Sequence, residues 1–310
     1  MKFVNYLIDC IVWLFQDFFK LFDSNTIFIC GFFKRNRWEF VHHNWGDDIN
    51  ILFLQSISDF KVHVLNNSHL YRFILPLNYS CIGSVIGYFT NKKTVIWGSG
   101  LVSADMEILH KPKKICSVRG PLTRKVLLDR GISCPPIYGD PALLISRFYT
   151  PNIKKKYKLG IVPHVIDADN TYLNKFKDKH PDVLIISMSD YTDWRDIPDQ
   201  ICSCEKIISS SLHGLIISDS YSVPNLWVKF SDKIVGGNFK YLDYFCSVNR
   251  TETEPVYIDS LERLENISLD NRFTLAQNID YLSILEACPF KKHICDYETI
   301  AKNINNSSCI

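Results

Sequence analysis

Several short stretches of the chain hold residue types that can grip an anion or move a proton. In HHNWGDDIN, residues 42–50, two carboxylates follow a glycine. Gly46 permits a tight turn there. Asp47 and Asp48 after it, with Asn44 before it, either offer a carboxylate to a substrate from the two acids or make a solvated turn that caps the next helix. In VIWGSGL, residues 95–101, Gly98, Ser99 and Gly100 follow an apolar run. Their amides can approach an anion or a sugar, or simply close a strand end; the full dinucleotide fingerprint is absent. Arg119, in SVRGPLTRKVLLDRG, brings a planar fork that suits a carboxylate or phosphate, or a structural ion pair. Asp140, in YGDPALL, reads as a helix cap. His164 in VPH and His213 in SSSLHG sit where apolar runs end, and Ser210 and Ser211 lie beside helix-start amides that favour anions. One such histidine alone is more often structural; two, both at the carboxyl ends of expected strands, shift the odds toward a functional role.

Those places depend on the elements that hold them. TIFICGFF, TVIWGSG, KICSVRG, KLGIVPH, DVLIISM, KIISSS and NLWVKF read as buried strands. PLTRKVLLDRG, TYLNKFKDKH, WRDIPDQICSC and LHGLIISDSYS suit helices, the first with Pro121 near its start and Gly131 just past its end. Strand and helix in alternation imply an α/β chain with parallel, doubly wound sheets, whose strand carboxyl ends face the ligand crevice. The lysine-rich YTPNIKKKYK, residues 149–158, separates one alternating set from the next. Two sheet domains facing a cleft are expected, residues 24–150 and 151–257. Residues 258–310, with DSLERLENIS and NRFTLAQNIDYLSILEA, are expected to form a helical tail.

Composition narrows the class. The 310 residues are 46% hydrophobic, enough for a sizeable core. With 35 basic against 33 acidic side chains, the chain lacks the basic excess of a nucleic-acid binder. Eleven cysteines at irregular spacing, without a cleavable leader, fit reduced thiols in a cytoplasm. Cys202-x-Cys204 is too short for a zinc pair, and no metal is expected. The N-terminal stretch, residues 1–23, is aromatic, but Lys2, Asp9, Asp17 and Lys20 interrupt it. It is too charged to span a bilayer. Two readings stay open: a helix lying on the inner membrane face, or a helix that packs on the core or in a dimer.

In order along the chain, the motifs resemble the polysaccharide pyruvyl transferase family. They are Asn44-x-Gly46-Asp47, Gly98-Ser99-Gly100-Leu101, Val118-Arg119-Gly120-Pro121-Leu122-Thr123, Gly139-Asp140-Pro141-Ala142-Leu143-Leu144, Pro163-His164, Ser210-Ser211-Leu212-His213-Gly214 and Phe239-Lys240-x-x-Asp243-Tyr244. The resemblance covers about residues 40–250. It implies two Rossmann-like domains arranged as in B-type (GT-B) glycosyltransferases, with the acceptor on the first and the donor on the second. It also implies that phosphoenolpyruvate gives its pyruvyl group to two hydroxyls of one sugar as a cyclic ketal. The acceptor would be a bacterial surface polysaccharide or its lipid-linked precursor, and no cofactor is needed. On this reading His213 binds the donor and moves a proton, Asp47 serves the acceptor hydroxyl, and Arg119, Ser210, Ser211 and His164 help to hold the donor. Asn44, Gly46, Asp48, Gly98, Ser99 and Gly100 would line the acceptor side. Some members carry arginine where Ser211 stands here, so one donor contact is lost or moves to Lys229 or Lys240. A sugar-nucleotide-dependent glycosyltransferase shares the fold class, and a non-catalytic scaffold in polysaccharide assembly is the alternative of another kind.

Overall fold

A computed structural model describes residues 2–35, 40–41, 44–65 and 74–307. In chain order the elements are α1 (Lys2–Lys20), β1 (Thr26–Ile29), β2 (Lys34–Arg35), β3 (Phe40–Val41), α2 (Trp45–Ile57), β4 (Lys61–Val64), β5 (Asn78–Ser80), β6 (Thr94–Trp97), β7 (Lys114–Ser117), α3 (Pro121–Asp129) and α4 (Ile145–Phe148). After them come β8 (Tyr157–Val162), α5 (Thr171–Lys179), β9 (Val183–Ile185), α6 (Asp196–Cys202), β10 (Cys204–Ser209), α7 (Leu212–Ser220), β11 (Asn225–Lys229), α8 (Phe239–Ser247), β12 (Val256–Tyr257), α9 (Leu261–Glu265), α10 (Tyr281–Glu286) and α11 (Tyr297–Ser307).

Two five-stranded sheets carry the molecule, in orders β4-β1-β5-β6-β7 and β12-β11-β10-β8-β9. Every pairing within them is parallel. They are buried on both faces, as parallel sheets must be, and so their strands are near-continuous apolar runs such as TVIW and the LGIV of β8. All the strands read from such runs form. The short β4, β5 and β12 escape that reading because KVHV, NYS and VY carry too little apolar length. The architecture is α/β, two Rossmann-like units of GT-B-like type, and the second sheet begins at Tyr157, just past the lysine-rich stretch.

The C-terminal segment is helical only in pieces. Within residues 271–287, part of the expected helical tail, Tyr281–Glu286 alone is α-helical. The polar part ahead of it is tied elsewhere: Thr274 and Asn225 exchange two 2.9 Å backbone hydrogen bonds, and Ala276 N–H donates to Asp219. This helix and the chain after it fold back on the first half, where Trp97 Nε1 of β6 donates to Ile284 O of α10 at 2.8 Å and Cys295 N to Ile57 O at the end of α2 at 2.8 Å.

α1 reverses the usual amphipathic logic. Asp17 is fully buried and accepts from His63 Nε2 at 2.7 Å, while His63 Nδ1 accepts from Lys20 Nζ at 2.8 Å. The charges therefore face the domain. Ile11, Phe15, Phe18, Phe19 and Phe22 are exposed, Phe22 by 75%. Among the described residues no helix is long and apolar enough to cross a membrane.

Candidate active site

The strands of both sheets end at one cavity of about 380 Å³. The loop after β5 supplies Gly83 and Ser84, the turn after β8 supplies His164, and the turn after β10 supplies Ser211 and His213. α2 adds Asn44 and Asp47, and α8 adds Lys240. Phe32, Tyr88, Val102, Ile166 and Val235 form an apolar rim, with Phe32 and Tyr88 edge to face at 5.0 Å.

The Gly-Asp-Asp stretch is not a turn ahead of a helix; it is the first helical turn of α2. Asn44 is the cap, and its side chain accepts from Gly46 N–H. Asn44 Nδ2 also donates to Asp47 Oδ2 at 2.7 Å. Asp48 is fully buried and is bound by Tyr191 OH at 2.6 Å. His42 and His43 lie outside the described residues. Gly46 is one of the places where the two halves pack closely. A Cβ there would lie 2.1 Å from His213 Nδ1, so only glycine admits the imidazole.

His213 opens α7, and Ser211 is the cap residue before it. The amides of Ser210 and Ser211, expected to hold the donor, are already spent on Val162 O and Ser209 Oγ. The amides left without an intrahelical acceptor belong to the first turn, Leu212 to Gly214. Ser210 Oγ accepts from His164 N at 2.8 Å, which ties one strand-end loop to the other.

Arg119 leaves β7 at the expected strand end but does not line the cavity. It is fully buried, with Nε and Nη2 both 3.0 Å from Asp243 Oδ2. Nη2 also donates to Leu101 O at 2.6 Å, and Nη1 reaches Ser84 Oγ at 2.5 Å on the cavity wall. Gly98, Ser99 and Gly100 likewise lie behind the wall. Ser99 Oγ and Gly100 N–H both donate to Gly83 O, and Gly100 leaves room for the Arg119 fork. Lys229 is elsewhere, held by Asp232 at 2.6 Å, so Lys240 is the cation the cavity presents from that pair. Asp140 caps a short 3-10 helix as expected, Oδ1 accepting from Ala142 N, and it also lies beneath His213.

Burial dominates the electrostatics. It pushes Asp47 up to about 7, with Asp48 adding to the rise while Asn44 and Lys240 oppose it. It pushes Asp140 up to about 6 against the two amides bound to it. It lowers Lys240 to about 8, helped by Arg119. It lowers His164 to about 4 and His213 to about 3, with Arg119 and Lys240 adding to the fall of His213. The cavity thus holds neutral imidazoles beside a carboxyl and an amine that titrate near neutrality. Among the described residues no cluster of three or more His, Cys, Asp or Glu could hold a metal ion.

Phe32, Gly83, Ser84, Tyr88, Val102, Ile166 and Val235 were not legible as site residues. Gly83 has φ +92°, yet CIGSVIG in sequence looks like any turn. The rim residues come from separate loops and share no spacing.

The chain is similar to two curated proteins. It is 31% identical over 212 residues to the uncharacterized protein L143 of Acanthamoeba polyphaga mimivirus, covering 65% of this chain and 69% of that one. It is 26% identical over 216 residues to the succinoglycan biosynthesis protein ExoV of Rhizobium meliloti, covering 67% of this chain and 62% of that one. The family model for polysaccharide pyruvyl transferase matches residues 32–232, a span that runs from the cavity rim at Phe32 through Asp47, Arg119 and His164 to the far side of His213. A match across most of the chain that takes in both walls of the cavity places this protein in the polysaccharide pyruvyl transferase family.

Proposed function

We propose that the cavity transfers the pyruvyl group of phosphoenolpyruvate to two hydroxyls of one sugar, giving a cyclic ketal in a surface polysaccharide or its lipid-linked precursor. The observation that carries this reading is the convergence of Lys240, His164 and the first turn of α7 on one side of the cavity, with Asp47 and Asn44 on the other. Helix-start amides and a buried ammonium suit a small molecule with a carboxylate and a phosphate. A carboxyl near neutrality suits the task of taking a proton from a hydroxyl. The similarity to a succinoglycan biosynthesis protein supports a saccharide acceptor.

The reaction then divides among this chain's residues. A proton delivered to the methylene carbon makes the adjacent carbon electrophilic. One sugar hydroxyl attacks it, the C–O bond to phosphate breaks, and the second hydroxyl closes the ring. Of the two hydroxyl protons, one replaces the proton given to carbon and the other departs with phosphate. His213 exchanges protons with the donor, Asp47 takes the proton of the attacking hydroxyl, and Lys240 holds donor charge. Arg119 acts from behind the wall, by fixing Ser84 and the loop from Gly98 to Leu101. Residues 24–150 form the acceptor side and 151–257 the donor side. The exposed aromatic face of α1 rests on the inner face of the membrane, near a lipid-linked acceptor.

His213→Ala tests this reading. Release of phosphate from phosphoenolpyruvate in the presence of a saccharide acceptor should fall by about 10²–10⁴ with a melting temperature close to the parent's. His213→Gln should retain donor binding without turnover, since an amide hydrogen-bonds but exchanges no proton at neutral pH. Near-parental turnover in His213→Ala would remove the residue from the chemistry.

A further inference from the structure

The capping aspartate below His213 has a neighbour that capping does not explain. Asp140 is fully buried, and each of its oxygens has a backbone donor: Ala142 N to Oδ1 at 3.0 Å and Gly83 N to Oδ2 at 3.2 Å. Oδ2 also lies 4.0 Å from His213 Nε2. Nε2 is itself sealed from solvent and has no hydrogen-bond partner. A buried imidazole nitrogen without a partner is costly, and the nearest acceptor of charge is this carboxylate. The opposite nitrogen, Nδ1, sits beside Gly46.

We propose that Asp140 is the positioning residue for His213: it holds the Nε2–H side of the ring and so leaves Nδ1 as the atom that exchanges protons with the reactants. This rests on the reading of His213 given above. A carboxylate set behind an imidazole fixes its tautomer and steadies the imidazolium once formed. The other charged or titratable groups around His213 are Arg119 from the turn after β7, Lys240 from α8, His164 from the turn after β8 and Asp47 from α2. Burial keeps the ring neutral, and the cations Arg119 and Lys240 add to this. An anionic donor offsets them, and the ring can then take a proton with Asp140 at its back. A small tilt brings Nε2–H from 4.0 Å into hydrogen-bond range of Oδ2. Nδ1–H passes its proton to the methylene carbon, which leaves the ring neutral. Nδ1 then accepts a hydroxyl proton, and the cycle closes with no proton unaccounted for.

Nitrogen-15 NMR of the imidazoles tests this, with the His213 signal assigned by its loss in His213→Ala. The probe is phosphoenolpyruvate alone, which without acceptor leaves the complex unreacted. The wild-type complex should show His213 protonated at Nε2 and bare at Nδ1 when neutral. In Asp140→Asn, which keeps the Oδ1 acceptor for the cap, that preference should be lost. The His213 pKa in the complex should fall by at least one unit, and kcat should drop about 10²-fold or more. KM for phosphoenolpyruvate should stay within about threefold, because Asp140 does not touch the donor. An Nδ1–H tautomer in the wild-type complex would overturn the proposal whether or not the variant folds. So would an unchanged tautomer and pKa in Asp140→Asn. These readouts need no turnover, so failure here is separable from failure of the pyruvyl-transfer reading, which His213→Ala activity decides.

Discussion

Burial brings Asp47 up to about 7 and Lys240 down to about 8, and the protonation form each task needs sets the direction of the pH response. Asp47 must lose its proton to serve as a base, so kcat/KM should rise as pH climbs through about 7. Lys240 must stay charged to hold an anion, so donor affinity should weaken as pH passes about 8. A bell-shaped kcat/KM profile is expected, and Lys240→Met should flatten its alkaline limb. A profile without an acid limb near 7 would separate Asp47 from catalysis. Arg119 is a different kind of residue. Arg119→Lys keeps the charge but cannot reach Asp243, Leu101 O and Ser84 together. The variant should lose about 2–3 kcal/mol of stability in urea titration, with weaker phosphoenolpyruvate binding as Ser84 shifts. Unchanged stability with weakened binding would instead make Arg119 a direct donor ligand.

Among the elements, α1 stands out because its sequence indicated a helix interrupted by charges but left open which side packs on the domain. The interrupting charges look like a solvated face, yet Asp17 and Lys20 are consumed by His63 from β4. That leaves Phe15, Phe19 and Phe22 uncovered. Replacing all three with serine should leave melting temperature and turnover on a soluble acceptor nearly unchanged. It should abolish co-flotation with phosphatidylglycerol vesicles. Wild-type protein that ignores vesicles but dimerises with rising concentration would assign the face to a second copy of the chain. α2 teaches the reverse lesson. The sequence around Gly46 suits a turn, but Asn44 caps from outside and draws the glycine and both acids into the helix.

At the level of the molecule, the site exists only where two helix starts from different halves touch. Trp45 N donates to Met188 O at 2.6 Å and Trp45 Nε1 to Trp194 O at 2.9 Å, so residues beyond β9 set the start of α2. Gly46 then admits His213 of α7. Gly46→Ala separates local from tertiary effects. Alanine favours an isolated helix by about 1 kcal/mol, but here its methyl would overlap the imidazole. We expect a net loss of about 1–3 kcal/mol in stability and a fall in kcat of at least about tenfold, with far-UV circular dichroism unchanged. A stabilised and fully active variant would mean that the helices do not approach this closely.

Apolar run length and strand–helix alternation were enough to call for two parallel sheets, because a strand buried on both faces must be apolar throughout. The ordered motifs likewise pointed to the family, and Asn44, Asp47, His164, Ser211, Lys240 and His213 do meet at one cavity. What the sequence left open was which polar groups face that cavity and which stand behind it. Arg119 and Ser99 have the residue types of ligands, but their hydrogen bonds close on the protein itself. Asp140 has the position of a cap, and the tertiary structure sets it under His213 as well. Local sequence encodes periodicity and capping through neighbours a few residues apart. Whether a buried polar group is satisfied, and by whom, depends on partners more than a hundred residues away, as Arg119 with Asp243 shows, and only the folded chain brings them together.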